Sequence, residues 1–293
     1  MSIEESAIVF SCCDEQLVAI VSRPQHPLPR GVVVVVGGPQ YRAGSHRQFT
    51  LLCRALAEQG IAAMRFDYRG MGDSVGNARN FEDIHADMGA AIEQFFREVS
   101  ELREVVLWGL CDAASAALMY AHRDARISGL VLLNPWVRTV EGLAKAQLKH
   151  YYWSRLADRE FWRKVARGKF AFATAIGSFA NAVLTALGIR KSHAVADHAT
   201  ATPAHAADVT SSLPERMADG MRQFKGRVLL ILSGNDITAQ EFEDVASGSK
   251  SWGRLLADAR VTRHKLSEAT HTFSTRAWRD QVAVWTADWV RAW

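Results

Sequence analysis

The stretch VVLWGLCDAASAAL, residues 105–118, decides the fold. It begins with a run of apolar residues, which is typical of a strand buried on both faces of a parallel sheet, and it ends in an alanine-rich segment that favours a helix. Between the two, Gly109 and Ala113 flank Cys111, each two positions away. A sharp strand-to-helix turn requires small residues at those positions, because two backbone segments approach each other there. The stretch therefore predicts a strand, a tight turn with Cys111 at its tip, and a helix.

Apolar runs and amphipathic segments alternate on both sides of this turn. Besides residues 105–110, strands are expected at residues 7–12, 17–22, 31–36, 61–68, 127–134, 227–234 and 261–266. Apolar residues recur at helical spacing after Phe49, between Glu82 and Val99, and between Ala113 and His122. This repetition of strand and helix predicts an α/β protein with a mostly parallel, doubly wound sheet, whose ligand site lies at the carboxyl ends of the strands.

The alternation of strand and helix stops in one long segment. The predicted domains are a core of residues 1–136 and 225–293, and a helical cap insertion of residues 137–224 that contains a mobile loop near residues 192–212. Residues 138–169 carry nine Lys or Arg and three Asp or Glu, whereas residues 170–189 carry no charge. One hypothesis is that this segment makes peripheral contact with an anionic membrane. The alternative is an ordinary cap helix that packs against the core.

Composition excludes several classes of protein. The 293 residues are 48% hydrophobic, and 35 Lys and Arg against 31 Asp and Glu leave a net charge of only +4, too small to indicate a nucleic-acid groove.

The N-terminus MSIEES carries two glutamates where a signal peptide has positive charge, so we expect a cytoplasmic protein, peripheral to the inner membrane if the cap binds lipid. The four cysteines, Cys12, Cys13, Cys53 and Cys111, lack the spacing of a zinc site or a disulfide framework.

The turn at Cys111 suggests nucleophilic chemistry. The positive end of the following helix favours a thiolate, and Asp112 would oppose this if its carboxylate pointed at the sulfur. A thiol nucleophile needs an imidazole base that a third group orients. Asp236 directly follows the strand at 227–234, and His271 lies between the last strand and the final helix. We therefore interpret Cys111, Asp236 and His271 as a catalytic triad, with a buried core cysteine as the alternative.

These motifs together resemble the α/β-hydrolase superfamily. FDYRGMGDS, residues 66–74, is similar to the loop that follows the fourth strand of that fold. The turn at Cys111, called the elbow below, the loop with Asp236 and the loop with His271 occur in the matching order. More narrowly, VVVGGPQYRAGSHRQF, residues 34–49, with WGLCDAASAAL resembles the exosortase A system-associated hydrolase 1 group. That resemblance implies a hydrolase linked to bacterial exopolysaccharide production.

The sequence departs from the general hydrolase pattern at the nucleophile and at the oxyanion hole. Cysteine replaces the usual serine, as in dienelactone hydrolases. An oxyanion hole needs two converging backbone N–H groups, of which we expect Asp112 to supply one. Pro39 has no N–H group, so Gln40 is preferred over Gly38 as the second donor. Gly38 and Trp136, which follows a strand end, are expected to line the substrate pocket.

The resulting interpretation is a hydrolase of small carboxylic esters or thioesters that works through an acyl-cysteine intermediate. This chemistry requires neither a metal nor an organic cofactor. Two alternatives remain open at this level: an acyltransferase that uses the same triad with an alcohol in place of water, and a non-catalytic binding protein on a hydrolase scaffold.

Overall fold

A computed structural model of the chain describes residues 3–38, 40–137 and 211–293. The strands are β1 (Ile3–Cys12), β2 (Glu15–Pro24), β3 (Arg30–Val35), β4 (Ala63–Phe66), β5 (Glu104–Leu110), β6 (Ile127–Leu133), β7 (Arg227–Ser233) and β8 (Val261–Leu266). They form one eight-stranded sheet in the order β1-β2-β4-β3-β5-β6-β7-β8. β1 and β2 pair antiparallel with each other, β2 is antiparallel to β4, and the other pairs are parallel. This topology confirms the predicted fold class.

Helices cover both faces of the sheet. The α-helices of the described residues are α1 (Gln48–Glu58), α2 (His85–Glu98), α3 (Asp112–Tyr120), α4 (Leu213–Gln223), α5 (Ile237–Gly248), α6 (Lys250–Leu256) and α7 (Arg276–Arg291). One hydrophobic cluster joins the sheet to residues of α2 to α6, and a second joins the opposite face to residues of α1 and α7. Since both faces are covered, the central strands are mostly apolar, and residues 32–36 are completely buried valines.

The loop after β4 braces the loop after β3. Asp67 is fully buried, and its Oδ1 accepts the backbone N–H of Arg42 at 2.6 Å, while its Oδ2 accepts the N–H of Asp73 at 3.0 Å. The Arg42 guanidinium also pairs with the Asp67 carboxylate. A buried carboxylate requires such partners, because an unpaired one would be strongly destabilising. Asp67 therefore fixes the segment that leads from β3 to α1.

The predicted core–cap boundary at 224/225 differs from the one in the structure. Met1–Val137 and Leu213–Trp293 form one compact unit, because α4 packs against α3 through buried Leu213, Met217 and Met221. The basic segment, the uncharged segment and most of the predicted loop near 192–212 lie outside the described residues. Within the ranges that the structure describes, no helix combines the length and the apolar character needed to cross a membrane.

Candidate active site

Cys111 lies at the junction of β5 and α3. Its backbone has φ 63° and ψ −125°, a conformation that is strained for a residue with a side chain. The Cys111 N–H donates to the carbonyl of Leu133 on β6 at 2.9 Å, which holds the strained residue in place. A Cβ atom at Gly109 would lie 2.6 Å from the carbonyl carbon of Ala113, so the close approach inferred from the sequence is present. The half-buried Cys111 side chain thus lies at a sharp turn at the carboxyl edge of the sheet.

The acid and the histidine lie in the loops that follow the last two strands of the sheet, β7 and β8. Asp236 lies just beyond β7 and His271 beyond β8, and Asp236 Oδ2 is 2.9 Å from His271 Nδ1. Asp236 is also the N-cap of α5, where its side chain accepts the N–H groups of Thr238 at 3.3 Å and Ala239 at 3.0 Å. The same carboxylate therefore begins a helix and orients an imidazole.

His271 connects the acid with the cysteine. Side-chain hydrogen bonds to Asp236 and then to Cys111 raise the pKa of His271 to about 10, although partial burial opposes this. Because Nδ1 faces Asp236, Nε2 is the nitrogen that remains for the thiol. The structure thus places Cys111, His271 and Asp236 at the carboxyl edge of the same sheet, and their role as a catalytic triad stays a prediction.

Asn134 supports this site, and the sequence analysis gave it no role. It is completely buried, with φ 43°, at the carboxyl end of β6. Its Nδ2 donates to the His271 carbonyl at 3.0 Å and to Ser233 Oγ at 2.8 Å, and its Oδ1 accepts the Ser233 N–H at 2.9 Å. One amide thereby links the ends of β6 and β7 to the histidine loop. The signal in the sequence was a polar residue, followed by Pro135, directly after an apolar strand.

The Asp112 carboxylate is bound by backbone N–H groups of the loop after β3 and of α3. Its Oδ2 accepts the Gly38 N–H at 2.9 Å, and its Oδ1 accepts the Ala113 N–H at 2.9 Å. Burial raises the pKa of Asp112, while these N–H groups and the nearby His271 lower it. Burial, followed by the charge of Asp112, raises the pKa of Tyr68 to about 12. Asp112 therefore places a carboxylate among Gly38, His271 and Tyr68.

The other predicted site residues lie close to the elbow or on the loop beside it. The Trp136 N–H donates to the Cys111 carbonyl at 3.2 Å, and the Trp136 carbonyl accepts Ser115 Oγ at 2.7 Å. Gly38 has φ +60°, a left-handed conformation that favours glycine. The Gln40 side chain accepts the Ser45 N–H at 3.1 Å, and the role of the Gln40 N–H in an oxyanion hole stays a prediction.

Within residues 3–38, 40–137 and 211–293, no group of three or more His, Cys, Asp or Glu side chains is arranged to hold a metal ion.

Similar structures share the fold at low sequence identity. An esterase of Pyrococcus furiosus superposes with a TM-score of 0.64 at 13% identity, over 99% of this chain and 93% of that chain. A dienelactone hydrolase of Anabaena variabilis gives a TM-score of 0.60 at 13% identity, over 99% and 98% of the two chains. A Butyrivibrio proteoclasticus protein with bound ferulic acid gives 0.61 at 13% identity, over 96% and 98%.

Sequence comparison gives the family. No curated protein is similar enough in sequence to count as a relative. A family model described as Serine aminopeptidase, S33, matches residues 27–236, more than half of the chain, and this range includes the elbow and ends at Asp236. The chain therefore belongs to the serine aminopeptidase S33 family and has the α/β-hydrolase fold.

Proposed function

We propose that this hydrolase cleaves carboxylic esters or thioesters with Cys111 as nucleophile, His271 as base and Asp236 as the group that orients the base. The observation that carries the proposal is the contact of His271 with Asp236, whose Oδ2 lies 2.9 Å from His271 Nδ1, beside a Cys111 side chain that helps to raise the pKa of His271. The structural neighbours named as an esterase and a dienelactone hydrolase support this choice of substrate class. Cysteine replaces the serine after which the family is named, so the covalent intermediate is a thioester.

The reaction proceeds in two halves. His271 takes the thiol proton of Cys111, or already forms an ion pair with it, and the sulfur attacks the carbonyl carbon of the substrate. The tetrahedral intermediate collapses when the bond to the leaving group breaks, and His271 returns the proton to that group. Water then loses a proton to His271 and attacks the acyl-cysteine, which releases the carboxylic acid and restores the thiol.

Two backbone N–H groups are needed for the negative oxygen of the intermediate. Asp112 N–H, at the start of α3, is the first. The sequence favoured Gln40 as the second donor, but the orientation of the Gly38 N–H toward the residue after the nucleophile supports Gly38. Trp136, tied to the elbow through its backbone, is the proposed pocket residue.

The finer sequence-based predictions remain predictions. The resemblance of residues 34–49 and 108–118 to the exosortase A system-associated group suggests substrates from exopolysaccharide production, and the basic segment at 138–169 suggests contact with an anionic membrane. An acyltransferase would use the same three residues with an alcohol as acceptor. Product analysis separates the two reactions, because hydrolysis releases free acid whereas transfer consumes an added acceptor.

The experiment that tests the proposal is a screen of short- and long-chain acyl esters and thioesters, with mass analysis of the acylated protein. We expect turnover and an acyl adduct on Cys111, and we expect Cys111→Ala to abolish both while the fold stays intact. Cys13→Ala is the matched control, since Cys13 is exposed in the β1–β2 turn. Full turnover by Cys111→Ala, or an adduct at another residue, would refute the proposed mechanism.

A further inference from the structure

Three backbone N–H groups beside Cys111, those of Gly38, Asp112 and Ala113, form a cradle that holds a carboxylate of the protein itself. The Gly38 N–H and the Ala113 N–H each donate to one oxygen of Asp112, both at 2.9 Å, and the Asp112 backbone N–H also interacts with its own side chain. Two of these groups belong to the first turn of α3, and the third comes from the loop after β3. Backbone N–H groups at the start of a helix carry partial positive charge, so the cradle is suited to an anion.

The neighbouring glycine leaves the room that this carboxylate needs. A Cβ atom at Gly37 would lie 2.2 Å from Asp112 Oδ1 and 2.9 Å from the Ala113 Cβ. Any larger residue at position 37 would therefore displace the Asp112 side chain. At the next position, the left-handed backbone of Gly38 presents its N–H to the other carboxylate oxygen. The position of the Asp112 carboxylate thus depends on the local form of the loop after β3 and of the first turn of α3.

The same N–H groups cannot serve Asp112 and a substrate at once. Under the proposed function, the oxygen that becomes negative needs the N–H groups of Asp112 and Gly38. The Gly38 N–H is already engaged by the Asp112 carboxylate, which would compete with that oxygen for the same donor. Like charges at such short range repel strongly in a partly buried site.

We propose that Asp112 is a specificity-determining residue. Its carboxylate occupies the anion cradle of the resting protein, and a neutral acyl group enters when this side chain rotates away. Compounds with a carboxylate beside the reacting carbon are rejected. This inference rests on the proposed function, because it treats Cys111 as the attacking group. It assigns the residue after the nucleophile a role in choosing substrates, in addition to the backbone N–H that it supplies.

The test compares alkylation of Cys111 by two reagents that differ in charge, neutral iodoacetamide and anionic iodoacetate. Rates are measured in the full chain by mass analysis of the peptide that contains Cys111, with exposed Cys13 as the internal reference. Asp112→Ala removes the carboxylate and opens the cradle. We expect it to raise the ratio of the iodoacetate rate to the iodoacetamide rate at Cys111 by about tenfold or more, since it removes a like charge at close range. The ratio at Cys13 should not change.

Asp112→Asn provides a second reading of the same quantity. The amide has nearly the same shape but no charge, so we expect the ratio at Cys111 to rise by less than in Asp112→Ala, and this variant carries the test if the alanine variant does not fold. An unchanged ratio in folded protein would overturn the role of Asp112. Failure of the proposed function looks different: Cys111 would react with iodoacetamide no faster than Cys13 at any pH, whatever the ratio of the two reagents.

Discussion

Replacement of Asp236 by asparagine should separate the two tasks of this carboxylate. Asp236 accepts one hydrogen bond from His271 and two from the first turn of α5. Asparagine is as good an N-cap as aspartate, so Asp236→Asn keeps the start of the helix. The amide cannot balance an imidazolium charge, and it can hold the ring in the wrong tautomer. By analogy with the same change in a serine protease triad, kcat/KM for the best ester should fall about 10⁴-fold, or about 5 kcal/mol of transition-state stabilisation.

Asp236→Ala is the matched comparison, because it removes the cap as well. Both variants lose the pair with His271, but only the alanine variant leaves N–H groups at the start of α5 without an acceptor. We therefore expect Asp236→Ala to have a free energy of unfolding about 1 kcal/mol below that of Asp236→Asn. Denaturant unfolding, followed by circular dichroism, measures this difference. Equal stabilities would show that the carboxylate is not an effective cap.

The pH dependence has a definite sign. The folded-state pKa of His271 is raised to about 10, so its proton stabilises the fold fully below the ordinary histidine pKa of about 6.5, and this contribution is lost as the pH rises through about 10. Asp236→Asn removes the main cause of the raised pKa. The stability difference between the two proteins should therefore be largest near pH 6 and shrink toward pH 10. Activity of Asp236→Asn within about tenfold of the original, together with a constant stability difference, would refute the reasoning.

Three further substitutions test other parts of the site. His271→Ala should reduce ester turnover nearly as much as loss of Cys111, since the two act as a unit, and steady-state kinetics will measure it. Asn134→Ala should lower the free energy of unfolding by about 1–3 kcal/mol, because it leaves the buried Ser233 N–H without its acceptor; denaturant unfolding measures this, and an unchanged midpoint would contradict it. Gly109→Ala should lower the free energy of unfolding by about 1–3 kcal/mol through overpacking against α3, whereas the control Gly253→Ala, in open space on α6, should be neutral or stabilising in the same denaturant unfolding assay.

The elements of the fold could be predicted because burial leaves a simple pattern in the sequence. All eight expected strands are present. Those in the middle of the sheet are mostly apolar, because helices cover both faces of the sheet. The places of Cys111, Asp236 and His271 followed from the same pattern, because each comes after a strand end at the carboxyl edge. The start of α4 at Leu213 was not predicted. Its few apolar residues are buried against α3, and the sequence alone does not reveal this contact.

The direction of the Asp112 side chain could not be predicted. It depends on the N–H of Gly38, which is 74 residues away in the chain, and on the space left by Gly37. A local pattern cannot report such a contact. Asn134 escaped notice for the same reason, because its partners Ser233 and His271 are brought near only by the order of the strands.

The direct pairing of β6 with β7 joins two strands that are far apart in the sequence. Leu132 and Leu133 align with Leu230 and Ile231 in adjacent strands, although a long stretch of sequence separates them. The hydrogen bonds between these strands, together with those of Asn134, hold the ends of β6 and β7 and the His271 loop side by side. Changes in the length of the stretch between the two strands should therefore leave the spacing of Cys111 and His271 unchanged.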